Sequence, residues 1–152
     1  MTTFPPNQPV PESHQDILRD RPTGHLATLR PDGRLSVNPV SLMWDGVHLR
    51  FSTVKSRQKY RNLVNDPRCA ISVPHRNNPN RYVELRGVVE LQDDVDRSFI
   101  NSIARYYMGV DEYPFDPPGA QRVIATIHAE QVSAPQIPLA EDSPGAPDRL
   151  RD

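Results

Sequence analysis

Residues 25–53 read HLATLRPDGRLSVNPVSLMWDGVHLRFST, and the alternation within this stretch decides the fold. His25 to Arg30 places apolar and polar side chains by turns, the two-residue period of a half-buried strand. Pro31-Asp32-Gly33-Arg34 supplies a hairpin turn. The partner runs from Leu35 to Trp44 and is interrupted by Asn38-Pro39. A proline cannot donate to a ladder, so it marks an edge, a bulge or a backbone that faces a ligand. Asp45-Gly46 is the strongest two-residue hairpin signal in the chain, and Val47 to Thr53 alternates cleanly behind it.

Toward the N-terminus, Pro11 to Arg19 predicts a short helix that buries Ile17 and Leu18, with Pro22 barring its continuation. Downstream, Tyr60, Leu63 and Val64 mark the buried side of another short helix, stopped by Asn65-Asp66-Pro67. Cys69 to Val73 predicts a compact central strand. Residues 75–81 (HRNNPNR) form a polar loop, and Tyr82 to Leu91 a long strand with a bulge at Gly87. Asp94 caps a helix through about Met108, with Val95, Phe99, Ile103 and Tyr106 or Tyr107 inward. Residues 113–119 make an irregular loop of prolines and aromatics, and Val123 to Val132 a last strand.

Of the 17 prolines, five precede residue 23 and seven follow residue 113. Residues 1–11 therefore read as a flexible, Pro-rich arm and 135–152 as a polar Pro-rich tail, leaving a domain over 12–134. The expected architecture is mainly β (α+β). Six antiparallel strands in meander-like order, with two to three short helices, close a small barrel.

A net charge of −1 over 152 residues gives no general pull toward nucleic acid. No basic segment followed by an apolar run reads as a secretion signal, and no apolar run reaches membrane-spanning length. The single cysteine, Cys69, excludes an internal disulfide framework and fits a reducing cytoplasm. In an apolar strand its thiol reads as packed and inert.

Against this neutral background residues 53–62, TVKSRQKYRN, stand out. They hold the only two lysines, and four cations fall at 55, 57, 59 and 61. The run follows an apolar strand and crosses a helix start, where backbone N–H groups and the helix dipole favour anions. Spacing alone leaves two readings open, a solvated helix surface and an anion cradle. Only residues three or four apart share a helix face, so Lys55 must sit in the loop and reach back, and Arg61 turns away from Lys59. Arg61 is left out of the site on that ground.

Chemistry of other kinds is missing. There is no G-x-S-x-G, no Walker loop, no G-x-G-x-x-G, and no histidine or cysteine spacing suited to a metal. An anion site without an acid, base or nucleophile implies that a bound cofactor carries the reactivity.

The order GHLATLRPDGRLSVNPV, WDG, LRFST, KSRQKYRNLVNDPRCAISV, YVELRGVVEL resembles the split β-barrel superfamily of pyridoxamine 5'-phosphate-oxidase-like flavin and deazaflavin proteins. The resemblance spans about residues 13–132. It rests on the T-L-x-x-D-G opening and on Lys59, Asn62, Leu63, Asp66, Pro67 and Arg68. The R-x-K-x-R-N arrangement is most similar to the actinobacterial branch that binds the deazaflavin coenzyme F420. An arginine-rich C-terminal signature of true pyridoxamine-phosphate oxidases is missing.

The resemblance implies an FMN-binding-like split barrel acting as a homodimer, with the cofactor at the subunit interface. Lys55, Arg57 and Lys59 would bind the cofactor phosphate, with Ser56 and Thr53 adding donors. Asn38, Pro39, Val40 and Ser41 would lie against the ring. The implied activity is hydride transfer from reduced F420 to an electron-poor alkene, imine or quinone. FMN chemistry is the alternative cofactor reading, and a non-catalytic carrier of F420, flavin or a heme-type ligand the alternative class. The resemblance designates no catalytic side chain. Tyr60, Tyr107 and Tyr113 could donate a proton, but packing explains each of them better, and none is assigned that role.

Overall fold

The structure, a computed structural model, describes residues 3–136. A 3-10 turn at Glu12–His14 leads into α1 (Asp16–Arg19), followed by β1 (Thr23–Leu29), β2 (Leu35–Ser41), β3 (Met43–Trp44) and β4 (Leu49–Val54). Then come α2 (Gln58–Asn65), β5 (Arg68–Pro74), β6 (Tyr82–Asp93), α3 (Ser98–Met108) and β7 (Arg122–Ser133). All strand pairs are antiparallel, in one curled sheet of order β2-β1-β5-β6-β7-β4-β3. The mainly β split barrel expected from the sequence is present.

Two details of that expectation need correction. The described strands number seven, because the segment from Leu35 to Trp44 divides into β2 and β3. The break falls at Leu42 and not at Asn38-Pro39. Leu42 is fully buried, and its N–H points at the Pro22 carbonyl (2.9 Å) and the Tyr107 hydroxyl (3.1 Å) instead of a ladder partner. Pro39 is tolerated inside β2 because β2 is an edge strand. The order is also not a simple meander. The β1–β2 and β3–β4 hairpins attach to opposite edges of a β5–β6–β7 meander, and α2 lies on the connection between them.

Leu26, Phe51, Ile71, Val83 and Ile127 centre the core, with Ile17 and Leu18 of α1 closing one end as expected. The bulge at Gly87 is real, since the register shifts between Arg86 and Gly87. A Cβ there would meet the His128 carbonyl oxygen at 2.0 Å, so only glycine lets β6 and β7 approach this closely.

Two apolar residues placed inward by helical spacing lie outside. Val95 is 88% exposed, because regular helix begins only at Ser98, after Arg97 at φ +62°. Asp94 nonetheless caps α3, its carboxylate accepting the N–H groups of Phe99 (3.2 Å) and Ile100 (2.9 Å). Val64 is also exposed, as Asn62 and Leu63 take the barrel-facing positions of the eight-residue α2.

Residues 3–11 carry no helix or strand yet lie along the barrel. Phe4 stacks on His128, Asn7 bonds both Val47 and Ala129, and Val10 joins the core. The tail expected over 135–152 falls almost wholly outside the described residues. No helix among the described residues is long and apolar enough to cross a membrane.

Candidate functional site

The site grows from the place where β4 stops. Lys55, Ser56 and Arg57 turn the chain into α2, and the Arg57 N–H closes the turn on the Val54 carbonyl at 3.0 Å. Arg57 occupies the N-cap position in extended conformation, and no side chain caps the first N–H groups of α2. Arg61 reaches back along its helix and donates to the Ser56 carbonyl (2.8 Å) and to Gln58 Oε1 (2.9 Å). It therefore shapes the turn and leaves the other cations free of that task. The Lys55 N–H bonds the Gln121 carbonyl at 3.1 Å, which brings the start of β7 alongside. Between the turn and residues 113–122 lies a cavity of about 530 Å³, with Lys55, Ser56 and Arg57 on one wall.

Three cations (Lys55, Arg97, Arg122) meet two carboxylates (Asp93, Asp116) at this end of the barrel. Lys55 Nζ lies 3.0 Å from Asp93 Oδ1, and that hydrogen bond raises its pKa. Arg122 forms a forked pair with Asp116, at 2.8 and 2.6 Å, while Arg97 adds a third contact at 2.9 Å. The Arg122 guanidinium also lies 4.7 Å above the Tyr113 ring and 3.3 Å from Ser52 Oγ. These bonds fasten the loop that walls the cavity, and Arg122 foremost among them holds the Asp116 carboxyl below its ordinary range.

Arg57 and Lys59 form no salt bridge among the described residues. Lys59 is half-buried, and its pKa is lowered by burial first, then by the charges of Arg57 and Arg122. A half-buried, unneutralised ammonium that feels two guanidinium charges is costly without an anion.

A second feature lies on the strands beside this end. Among the described residues two buried side-chain oxygens lack a hydrogen-bond partner, Asn38 Oδ1 and Thr53 Oγ1. Thr53 is 3% exposed on the inner side of β4, and β2, which carries Asn38, approaches β4. Each such group costs about 1–3 kcal/mol while unpaired. The strand's alternation separates the rest of the 38–41 segment. Val40 points into the core, whereas Pro39 and Ser41 are exposed on the other face. None of the four lines the 530 Å³ cavity.

Of the side chains considered for acid–base or nucleophilic work, Cys69 and Tyr107 are occupied elsewhere, while Tyr113 lines the cavity. Burial pushes the Cys69 thiol up to about 12 despite a bond from Gly87. The Tyr107 phenol is likewise raised by burial, to about 12. Its hydroxyl sits 2.5 Å from the Pro22 carbonyl and 2.8 Å from that of Leu42. Tyr113 faces Arg122. No group of three metal-ligating side chains gathers among the described residues.

Sequence reasoning reads Asp93 only as part of a strand end and helix cap and gives Asp116 and Arg122 no role; the three are 38, 61 and 67 residues beyond Lys55 and carry no local signature of a site. The only hint was an aspartate set among aromatics and prolines in the loop 113–119.

Comparison with known proteins agrees with this architecture. A solved structure described as an F420 reductase is 40% identical, with a TM-score of 0.72 over 82% of this chain and 98% of that one. A conserved hypothetical protein from Mycobacterium tuberculosis superposes with a TM-score of 0.63 at 23% identity, over 86% and 88% of the two chains. General Stress Protein 26 from Bacillus anthracis does so with 0.60 at 20% identity, over 80% and 89%. The latter two share the fold alone. No curated protein matches the chain. The family model described as pyridoxamine 5'-phosphate oxidase matches residues 10–134, the whole barrel, and the chain belongs to that family.

Proposed function

We propose that this protein is an F420-dependent reductase acting on an electron-poor small organic substrate of alkene, imine or quinone type. The carrying observation is the unneutralised pair Arg57 and Lys59 at the start of α2, of which Arg57 lines the cavity. The 40% identity to a protein described as an F420 reductase favours the deazaflavin over FMN, which shares its phosphate.

The residues present fit such a cofactor at both ends. Arg57 and Lys59 would hold the phosphate, with Ser56 and the uncapped N–H groups of α2 as further donors. Charge-assisted bonds contribute about 1.5–3 kcal/mol each, before the cost of immobilising the ligand is subtracted. Asn38 Oδ1 and Thr53 Oγ1, the two unmatched oxygens, would meet polar atoms of the ring system. When bound, reduced F420 supplies the hydride. The protein orients the acceptor and excludes water, and no side chain of this chain is assigned as proton donor.

The active unit in this proposal is a homodimer with the cofactor at the subunit interface. Support comes from the outer side of β2, where Leu35 and Val37 are 77% and 66% exposed.

Titration of Trp44 fluorescence with F420 and with FMN tests the reading. F420 binds wild type, and Arg57→Ala and Lys59→Ala each weaken it about tenfold or more, the equivalent of one charge-assisted bond. Equal affinity in all three proteins would sink the phosphate assignment, and tight binding of FMN alone would replace F420 by flavin.

A further inference from the structure

Lys55 differs from its basic neighbours because it is already neutralised. Its ammonium lies 3.0 Å from Asp93, whose side chain is 60% exposed and whose Cα is registered against Val123 at the end of β6. The neighbouring carboxylate, Asp94, is committed to capping α3 and cannot substitute for it. Strand pairing fixes the Asp93 backbone, whereas Lys55 carries its charge on a flexible four-carbon stem. Lys55 also lines the cavity that Arg57 lines. The two partners are thus unequal: one stays in place, and the other can swing toward an anion. An exposed ion pair of this kind is weak and readily exchanged for an anion that neighbouring cations hold as well.

We propose that Asp93 is a built-in counter-anion, which holds Lys55 while the site is free and yields it to the phosphate of the incoming cofactor. Asp93 is then an affinity-setting residue that never touches the ligand. It keeps the site from being a permanently bare triple cation, and it makes release of the anion easier by offering Lys55 another partner. This inference rests on the reading of the β4–α2 junction as a phosphate site and concerns how strongly that site holds its ligand.

The test is F420 titration of wild type, Asp93→Asn, Lys55→Ala and the double variant, with Arg57→Ala and Lys59→Ala alongside and thermal melts on each. Asn has the shape of Asp, and the position is exposed, so Asp93→Asn melts like wild type. Its F420 affinity rises about two- to fivefold, the range that an exposed ion pair converts to. In the Lys55→Ala background the same change has almost no effect, because the competition it removes is already gone. Unchanged or weaker binding in Asp93→Asn, while Arg57→Ala and Lys59→Ala still lose F420, overturns the counter-anion and leaves the phosphate site standing. An equal gain with and without Lys55 also overturns it, since that is long-range charge and not exchange of a partner. Unchanged affinity in Arg57→Ala and Lys59→Ala overturns the phosphate site itself.

Discussion

Lys59 is the residue whose chemistry depends most on its surroundings. Burial, Arg57 and Arg122 all disfavour its charged form, so its pKa lies below the ordinary lysine value of 10.5. Between that depressed value and the ordinary one, the unfolded chain binds more protons than the folded chain. Stability of the ligand-free protein therefore rises with pH across this window, and the penalty is fully present below it. Anion binding has the opposite sign, because a phosphate stabilises the ammonium. Affinity for F420 is expected to decline as pH rises through the depressed pKa, sooner than an ordinary lysine would dictate. In Lys59→Arg the guanidinium does not titrate in this range, so the alkaline decline disappears. Titrations at a series of alkaline pH values check this, and identical profiles for the two proteins would refute it.

At the scale of elements, α2 is short, and beside the packing of Leu63 one polar residue fixes it to the barrel. Asn62 is 0% exposed, donates to Thr28 Oγ1 at 3.0 Å and accepts from Gln58 Nε2 at 2.8 Å. Asn62→Ala is expected to cost about 1–3 kcal/mol by stranding the Thr28 hydroxyl. A urea melt measures that loss. Asn62→Leu restores volume without restoring the bond and rescues little. Asn62 belongs to the K-x-x-N-L-x-x-D-P-R segment, so that motif was legible as a signature before its physical role was. Its lysine belongs to the proposed phosphate site, its asparagine seats the helix, and Asp66 pairs with Arg68 after the helix. The β1–β2 hairpin and the Asp94 cap were legible because each depends on residues close in sequence, and the Gly87 bulge because a glycine inside a strand pattern marks one. The attachment of β4 to β7, the Leu42 break and the reach of Arg122 to Ser52 were not, because each depends on partners brought from far along the chain. The same reason explains Val95: helical spacing predicts a face only where the helix has begun.

For the whole molecule, the question left by the curled sheet is what covers its outer face. Leu35 pairs with Leu29, Val37 with Ala27, and Ala27 in turn with Ala70, so small and branched apolar residues lie side by side on β2, β1 and β5. A shallow groove of about 210 Å³ runs between them, lined also by Arg68. Single exposed apolar residues are ordinary on a protein surface, but a row in register on an edge hairpin favours association. A second copy of the chain is the occupant consistent with the proposed homodimer. Leu35→Glu combined with Val37→Glu should therefore convert a dimer into a folded monomer, since both side chains already face outward and contribute little to the core. Sedimentation velocity distinguishes the two states, and circular dichroism shows whether the barrel survives. If the cofactor ring is enclosed between subunits, this variant loses F420 affinity although Arg57 and Lys59 are intact. A wild-type protein that sediments as a monomer at micromolar concentration, yet binds F420 normally, would place the whole site within one chain and remove the need for a partner.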